Sequence, residues 1–307
     1  MSTAWLFPGQ GSQYVGMASA WARRSDCARK ALAEAADVLD FDLPRVMADG
    51  PEAVLADTFN QQPALLAASV AILRAAWDTL PSPAYVAGHS LGEYSALVAA
   101  GAIDYPAALR LVRERGRLMK LAGEQAPGRM AAVLGLDDDT VIAACAAIDG
   151  VQVANFNSPG QVVISGTLEG VDGATVALKA AGAKRIMPLP ITIAAHSPLM
   201  ASVTDRFAAV VQSAPISDAQ IPIVANITAT PISTASAIRD ELTHQLTASV
   251  RWTASIEAMA AAGVDTFYEV GSGKVLCGLV KRILAARPGP DPVVISLDMP
   301  PADDEAA

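Results

Sequence analysis

The pentapeptide Gly88-His89-Ser90-Leu91-Gly92 constrains this chain more than any other segment. It follows an apolar run, Ala84-Tyr85-Val86-Ala87, and precedes a helix-like stretch, Glu93 to Ala100. Strand, sharp turn bearing a serine, then helix is the context of a nucleophile elbow. A serine on a strained turn brings backbone too close for a β-carbon on either side, so its flanks must be small. The hydroxyl then projects at a helix N-terminus, where free N–H groups favour developing negative charge.

Around this turn, strand-like and helical runs alternate, the pattern of an α/β fold with a largely parallel sheet. A strand over Ala4–Phe7 leads into Pro8-Gly9-Gln10-Gly11-Ser12-Gln13, and helices are expected over 62–79 and 106–122. Between residues 128 and 192 the order becomes β-α-β-β-α-β, which reads as a small ferredoxin-like inserted domain. The expected division is a large, discontinuous α/β-hydrolase-like catalytic domain over 1–127 and 193–299, the insert over 128–192, and a disordered acidic tail over 300–307. With 307 residues, 52% of them hydrophobic and 17% charged, the chain can bury a large core.

Composition also excludes whole classes of function. A net charge of −9 argues against nucleic-acid binding, which needs a basic face. The most apolar helical run, 63–73, is too short to span a bilayer, and no secretory leader is expected, so the protein is expected in the cytoplasm. Cys27, Cys145 and Cys277 lie far apart without metal-ligand spacing, so neither a disulfide framework nor a metal site is expected. Asn226-Ile227-Thr228 fits a glycosylation sequon, but nothing routes the chain to a glycosylating compartment. Gly9-Gln10-Gly11 lacks the third glycine of a dinucleotide loop, since residue 14 is tyrosine. Gly271-Ser272-Gly273-Lys274 resembles the end of a phosphate loop, but Val275 occupies the Ser/Thr position that would ligand magnesium. Tight turns at strand ends account for both.

A serine hydroxyl needs a base to take its proton, and histidine is the usual one near neutral pH. His89 precedes Ser90 on the turn and should point away from the line of attack; His244 reads as a surface histidine on a helix. His196 follows a proline-punctuated strand and loop, where catalytic groups collect, and is favoured as the base.

These residues converge on a family. The chain resembles the malonyl-CoA:acyl carrier protein transacylases and the acyltransferase domains of fatty acid and polyketide synthases, from the first strand to about Arg282. The resemblance is carried by Phe7-Pro8-Gly9-Gln10-Gly11-Ser12-Gln13, Gly88-His89-Ser90-Leu91-Gly92-Glu93-Tyr94, Arg115-Gly116-Arg117-Leu118-Met119, Asn157-Ser158-Pro159-Gly160-Gln161, His196-Ser197-Pro198-Leu199-Met200 and Glu269-Val270-Gly271-Ser272-Gly273-Lys274-Val275-Leu276. It implies that Ser90 takes the malonyl group from malonyl-CoA as an ester and that His196 serves as base and then acid. It further implies that the backbone carbonyl of Gln245 orients the imidazole, and that the N–H groups of Gln10 and Leu91 form the oxyanion hole. Arg115 is implied as the reader of the malonyl carboxylate, to which a guanidinium can donate two parallel bonds. Gln62 and Asn157 are weaker substrate-site candidates, and no cofactor or metal enters the implied chemistry.

The implied second substrate is the phosphopantetheine thiol of an acyl carrier protein, with the enzyme expected to be a monomer. Carrier proteins are typically acidic, so docking to this acidic chain calls for a local basic patch. Lys184 with Arg185, Lys274, and Lys281 with Arg282 are the candidates. Ala195, before the base, stands where many malonyl-selective relatives carry phenylalanine and others serine, which leaves room for a branched acyl group. Excluding one methyl by packing is worth only about 1–3 kcal/mol. The competing readings are acyltransferases of polyketide or malonate decarboxylase systems, a Ser-Asp-His thioesterase or other hydrolase, and a non-catalytic scaffold.

Overall fold

The computed structural model describes residues 2–285, 287 and 290–301. Its larger sheet contains β1 (Ser2–Phe7), β2 (Tyr85–Gly88), β7 (Ile223–Val224), β8 (Pro231–Ile232), β9 (Val264–Glu269) and β10 (Val293–Ser296). The spatial order is β10-β9-β1-β2-β7-β8, and every pairing is parallel except that of β7 with β8. The expected parallel sheet is therefore a mixed one with an antiparallel edge. Its central strand β1 is buried along nearly its whole length and reads as a continuous apolar run, as a strand covered on both faces must.

The smaller sheet contains β3 (Gly128–Leu134), β4 (Val151–Ser158), β5 (Gln161–Thr167) and β6 (Arg185–Pro188), in the order β4-β5-β3-β6 and antiparallel throughout. Helices Asp138–Ala146 and Leu168–Ala180 cover it and close a separate apolar cluster around Val141, Ile164, Val171 and Leu178. Of the acidic tail expected over 300–307, residues 302–307 lie outside the described residues.

Two helices set the ceiling of the site. One spans Thr58–Ala76, starting four residues before the expected position at Gln62 and running through Pro63. Asp57 caps it by accepting the Phe59 N–H at 3.0 Å. Pro63 has no N–H for the Phe59 carbonyl, and Arg113 Nη1 donates to that oxygen instead at 3.2 Å. The lost helical bond is thus replaced from the neighbouring helix, Tyr105–Gln125. These two helices approach closely at Gly116, where a β-carbon would stand 2.7 Å from the Thr58 carbonyl oxygen. That approach brings Gln62 on one helix to Arg115 on the other.

Candidate active site

Ser90 sits two residues after the end of β2, on a turn that enters the helix Gly92–Ala99. Its φ is 51°, a left-handed conformation that non-glycine residues adopt rarely and that marks stored strain. A β-carbon at Gly88 would stand 1.9 Å from the Gly92 carbonyl carbon, and one at Gly92 would stand 2.0 Å from the Phe7 carbonyl oxygen. The turn can therefore close only with both glycines, and it presses against the loop that follows β1.

His196 also has a positive φ, 59°, and is 3% exposed. Its Nε2 is 2.8 Å from Ser90 Oγ. On the other side of the ring, Nδ1 is 2.9 Å from the Gln245 carbonyl oxygen and 3.0 Å from that of Ala248. Carbonyls only accept, so Nδ1 carries the proton and Nε2 is left as an acceptor for the serine hydroxyl. The resemblance implied the Gln245 carbonyl as the partner of this ring; the Ala248 carbonyl is a second one it did not imply. A thioesterase triad would place a carboxylate at Nδ1, and these two carbonyls occupy that position. Burial and the Arg115 cation push the imidazole down to about 3, so it is neutral at any ordinary pH.

Arg115 is 1% exposed. Its Nη1 donates to Gln62 Oε1 at 3.0 Å; its Nη2 donates to Gln245 Oε1 at 2.9 Å and lies 3.3 Å from Ser90 Oγ. Its ring neighbour is Tyr94, 5.5 Å from the guanidinium carbon. Among the described residues no carboxylate forms an ion pair with it, and its Nε–H has no partner. Burial lowers its proton affinity, yet arginine stays charged in proteins. A buried, charged guanidinium beside a serine–histidine pair, held by two amides and the Tyr94 ring and with no carboxylate in contact, can receive an anion.

The remaining sequence-based candidates fall nearby. Gln62 is fully buried, with its Nε2 against Met119 Sδ at 3.0 Å. Neither Gln10 nor Leu91 uses its backbone N–H in a hydrogen bond among the described residues. Asn157 meets His89 (Oδ1 to Nε2, 2.7 Å) and has no hydrogen bond to Ser90, His196 or Arg115. His89 packs edge-on against Trp252 and its ring is turned aside as expected, while His244 is exposed and bonds Asp240.

Three groups at the site went unnoticed in the sequence. Asn226 is 2% exposed; its Oδ1 accepts the Ser90 N–H at 2.8 Å and its Nδ2 donates to the Gly88 carbonyl at 2.8 Å. The apparent sequon is thus a buried clamp on the turn, closed to modification. Glu93, 1% exposed, accepts the Asn226 N–H at 3.1 Å and a bond from Gln245 Nε2. Gln152 on β4 donates to the His196 carbonyl at 2.6 Å and to the Thr247 carbonyl at 3.1 Å. No local pattern marks Asn226 or Gln152; a glutamate on a helix of otherwise small and apolar residues is the faint signal of Glu93. The phosphate-loop look-alike is also explained: the Glu269 carboxylate already accepts the Leu276 and Cys277 N–H groups at the helix start, at 3.0 and 2.7 Å.

Residues 4–300 match the acyl transferase domain family. The chain is 47% identical to the malonyl CoA-acyl carrier protein transacylase of Escherichia coli (strain K12) over 286 residues, 92% of each chain. Its structure superposes on an acyl carrier protein S-malonyltransferase from Vibrio cholerae with a TM-score of 0.94 at 43% identity, covering all of both chains. It also matches a malonyl-transacylase solved with its type II polyketide acyl-carrier protein, at a TM-score of 0.91 and 43% identity, over 96% of this chain and 95% of that one. With its serine turn, paired histidine and buried arginine in place, the chain belongs to the acyl transferase domain family, among the malonyl CoA-acyl carrier protein transacylases.

Proposed function

We propose that this enzyme moves a malonyl group from malonyl-CoA to the phosphopantetheine thiol of an acyl carrier protein through an ester on Ser90, supplying units for fatty acid synthesis. The observation that carries the reading is Arg115: a buried cation with no carboxylate of its own, 3.3 Å from the serine hydroxyl. A malonyl group brings the missing carboxylate and places its thioester beside Ser90. In the first half-reaction Ser90 Oγ attacks the thioester carbon while its proton passes to His196 Nε2. The oxyanion is held by the unengaged N–H groups of Gln10 and Leu91, each such donor being worth ~10²–10³ in rate. Collapse forms the ester and breaks the C–S bond, and the imidazolium returns its proton to the departing thiol. The carrier's thiol then attacks the ester, gives its proton to His196, and Ser90 leaves with that proton restored.

In this reading Gln62 steers Arg115, Gln245 steers both Arg115 and His196, and Asn157 acts on the site only through His89. Ala195 is buried beside His196 and is the position at which a branched acyl group would be admitted or refused. The chain divides into a hydrolase-like catalytic body, 1–127 and 193–299, and a ferredoxin-like insert, 128–192. The β-α-β-β-α-β order and the four-stranded antiparallel sheet support that division. Lys184, Arg185, Lys274, Lys281 and Arg282 are exposed and available to an acidic carrier. The enzyme acts as a cytoplasmic monomer.

Intact-protein mass spectrometry after mixing with malonyl-CoA tests the assignment. A malonyl adduct is expected on the wild type, absent from Ser90→Ala, and transferred on addition of holo-acyl carrier protein. An adduct that is lost to water equally fast without the carrier would make the protein a hydrolase.

A further inference from the structure

Glu93 lies in none of the proton-transfer steps, yet two of the residues that shape the site donate to its carboxylate. One is Asn226, whose backbone N–H it accepts and whose amide clamps the strained turn at Ser90. The other is Gln245, whose amide joins Glu93 to Arg115. A carboxylate only accepts hydrogen bonds, so it forces the Gln245 NH₂ group toward itself. That same NH₂ reaches the Ser90 carbonyl at 3.1 Å. The Gln245 oxygen is thereby left facing Arg115, where it takes the Nη2 proton at 2.9 Å and holds the guanidinium within reach of Ser90 Oγ. If the amide turned over, two donors would face each other at Arg115.

We propose that Glu93 is a positioning residue for recognition of the acyl carboxylate: by fixing the orientation of the Gln245 amide it aims Arg115. This inference rests on the malonyl-transfer reading. It explains why an acid is kept in a pocket that resists its charge, with burial and the neighbouring Glu241 both pushing its ionisation upward. Glu241 is the natural control. It is coupled electrostatically to Glu93, but its carboxylate accepts the Ile227 N–H at 3.0 Å and bonds neither Gln245 nor Arg115.

The test compares Glu93→Gln with Glu241→Gln, using malonyl-CoA and acetyl-CoA as donors. A glutamine at 93 offers an NH₂ where Gln245 or Asn226 needs an acceptor. Loss of a bond to a charged group then predicts a fall in malonyl kcat/KM of about 10- to 100-fold, with a smaller fall for acetyl. Thermal unfolding of Glu93→Gln should stay within a few degrees of wild type, because the amide fills the same buried volume; Glu241→Gln should keep wild-type kinetics. If Glu93→Gln does not fold, Glu93→Asp, one methylene short of Gln245, carries the same prediction. Malonyl kcat/KM within about twofold of wild type, equal losses with both donors, or matching losses in Glu241→Gln would each overturn the inference. A missing malonyl adduct on wild-type Ser90 would instead refute the reaction itself. The crystal structure of Glu93→Gln decides the inference independently of turnover: Arg115 Nη2 displaced from Gln245 Oε1 supports it, and an unmoved guanidinium sinks it.

Discussion

Arg115 carries two consequences that can be separated by experiment. The first is selectivity. Truncating Arg115→Ala removes a bidentate, charge-assisted contact available only to a donor with a carboxylate, so loading from malonyl-CoA should fall by at least about 100-fold. Loading from acetyl-CoA should fall far less, and equal losses measured by stopped-flow acylation would remove Arg115 as the reader. The second is electrostatic. After burial, the Arg115 cation is the largest influence pushing the His196 proton affinity down to about 3. The free enzyme's kcat/KM should therefore show no acid limb between pH 8 and 5. In Arg115→Ala the imidazole keeps its burial but loses the cation, so an acid limb should move upward. A bound malonyl carboxylate neutralises the same cation, and so raises His196 toward the range in which it can both take and return a proton. A wild-type acid limb centred near the ordinary histidine value would contradict this account.

The strand–turn–helix unit around Ser90 was readable because its constraints are local. Gly88 and Gly92 are demanded by backbone approach within five residues, and the pattern of small flanks records that demand. The prediction at this level is steric. In Gly92→Ala the new methyl would meet the Phe7 carbonyl at 2.0 Å, with backbone on both sides and nothing flexible to yield. Destabilisation of about 3 kcal/mol or more and loss of acyl-enzyme formation are expected, since overpacking against a fixed backbone forces the turn apart. Chemical denaturation checks the first and adduct formation the second; wild-type values in both would mean the turn relaxes freely. The helix over Thr58–Ala76 was legible only in part. The expected start at Gln62 missed the first turn, and the accommodation of Pro63 depends on Arg113, fifty residues away, whose role no local pattern could disclose. His196 and Arg115 carry little local information either; the family motifs around them supplied it.

His196 stands where the two sheets meet. Residues 245–250 present the Gln245 and Ala248 carbonyls to His196, and Val250 then pairs with β4 through the Ala154 carbonyl and the Phe156 N–H. Gln152 on the same strand holds the His196 and Thr247 carbonyls, so the smaller sheet buttresses the segments that carry His196 and its carbonyl partners. Contacts spanning 44 to 136 positions, such as Gln152 with His196 or Ser90 with Asn226, leave no periodic trace in a single sequence, which is why they were missed. Packing titratable groups this deeply also makes the stability of the whole fold depend on pH, in opposing directions. The proton affinity of His196 is depressed, so the unfolded chain binds the extra proton; its contribution is complete above about pH 6.5 and is lost as pH falls toward 3. Glu241, 6% exposed, is pushed by burial up to about 7, so its contribution is complete below the usual carboxylate range and is lost as pH rises toward 7. Each changes stability by at most ~1.4 kcal/mol per pH unit. From about pH 4.5 to 6.5 the falling slope of Glu241, which the raised Glu93 and Glu269 share, opposes the rising one of His196. Glu241→Gln removes its own falling slope and the repulsion it exerts on Glu93, so its unfolding free energy should gain steadily on wild type as pH rises from 4.5 to 7. Urea titrations of both proteins across that window measure the difference directly. A constant offset would show that Glu241 ionises as freely in the folded protein as in the unfolded chain.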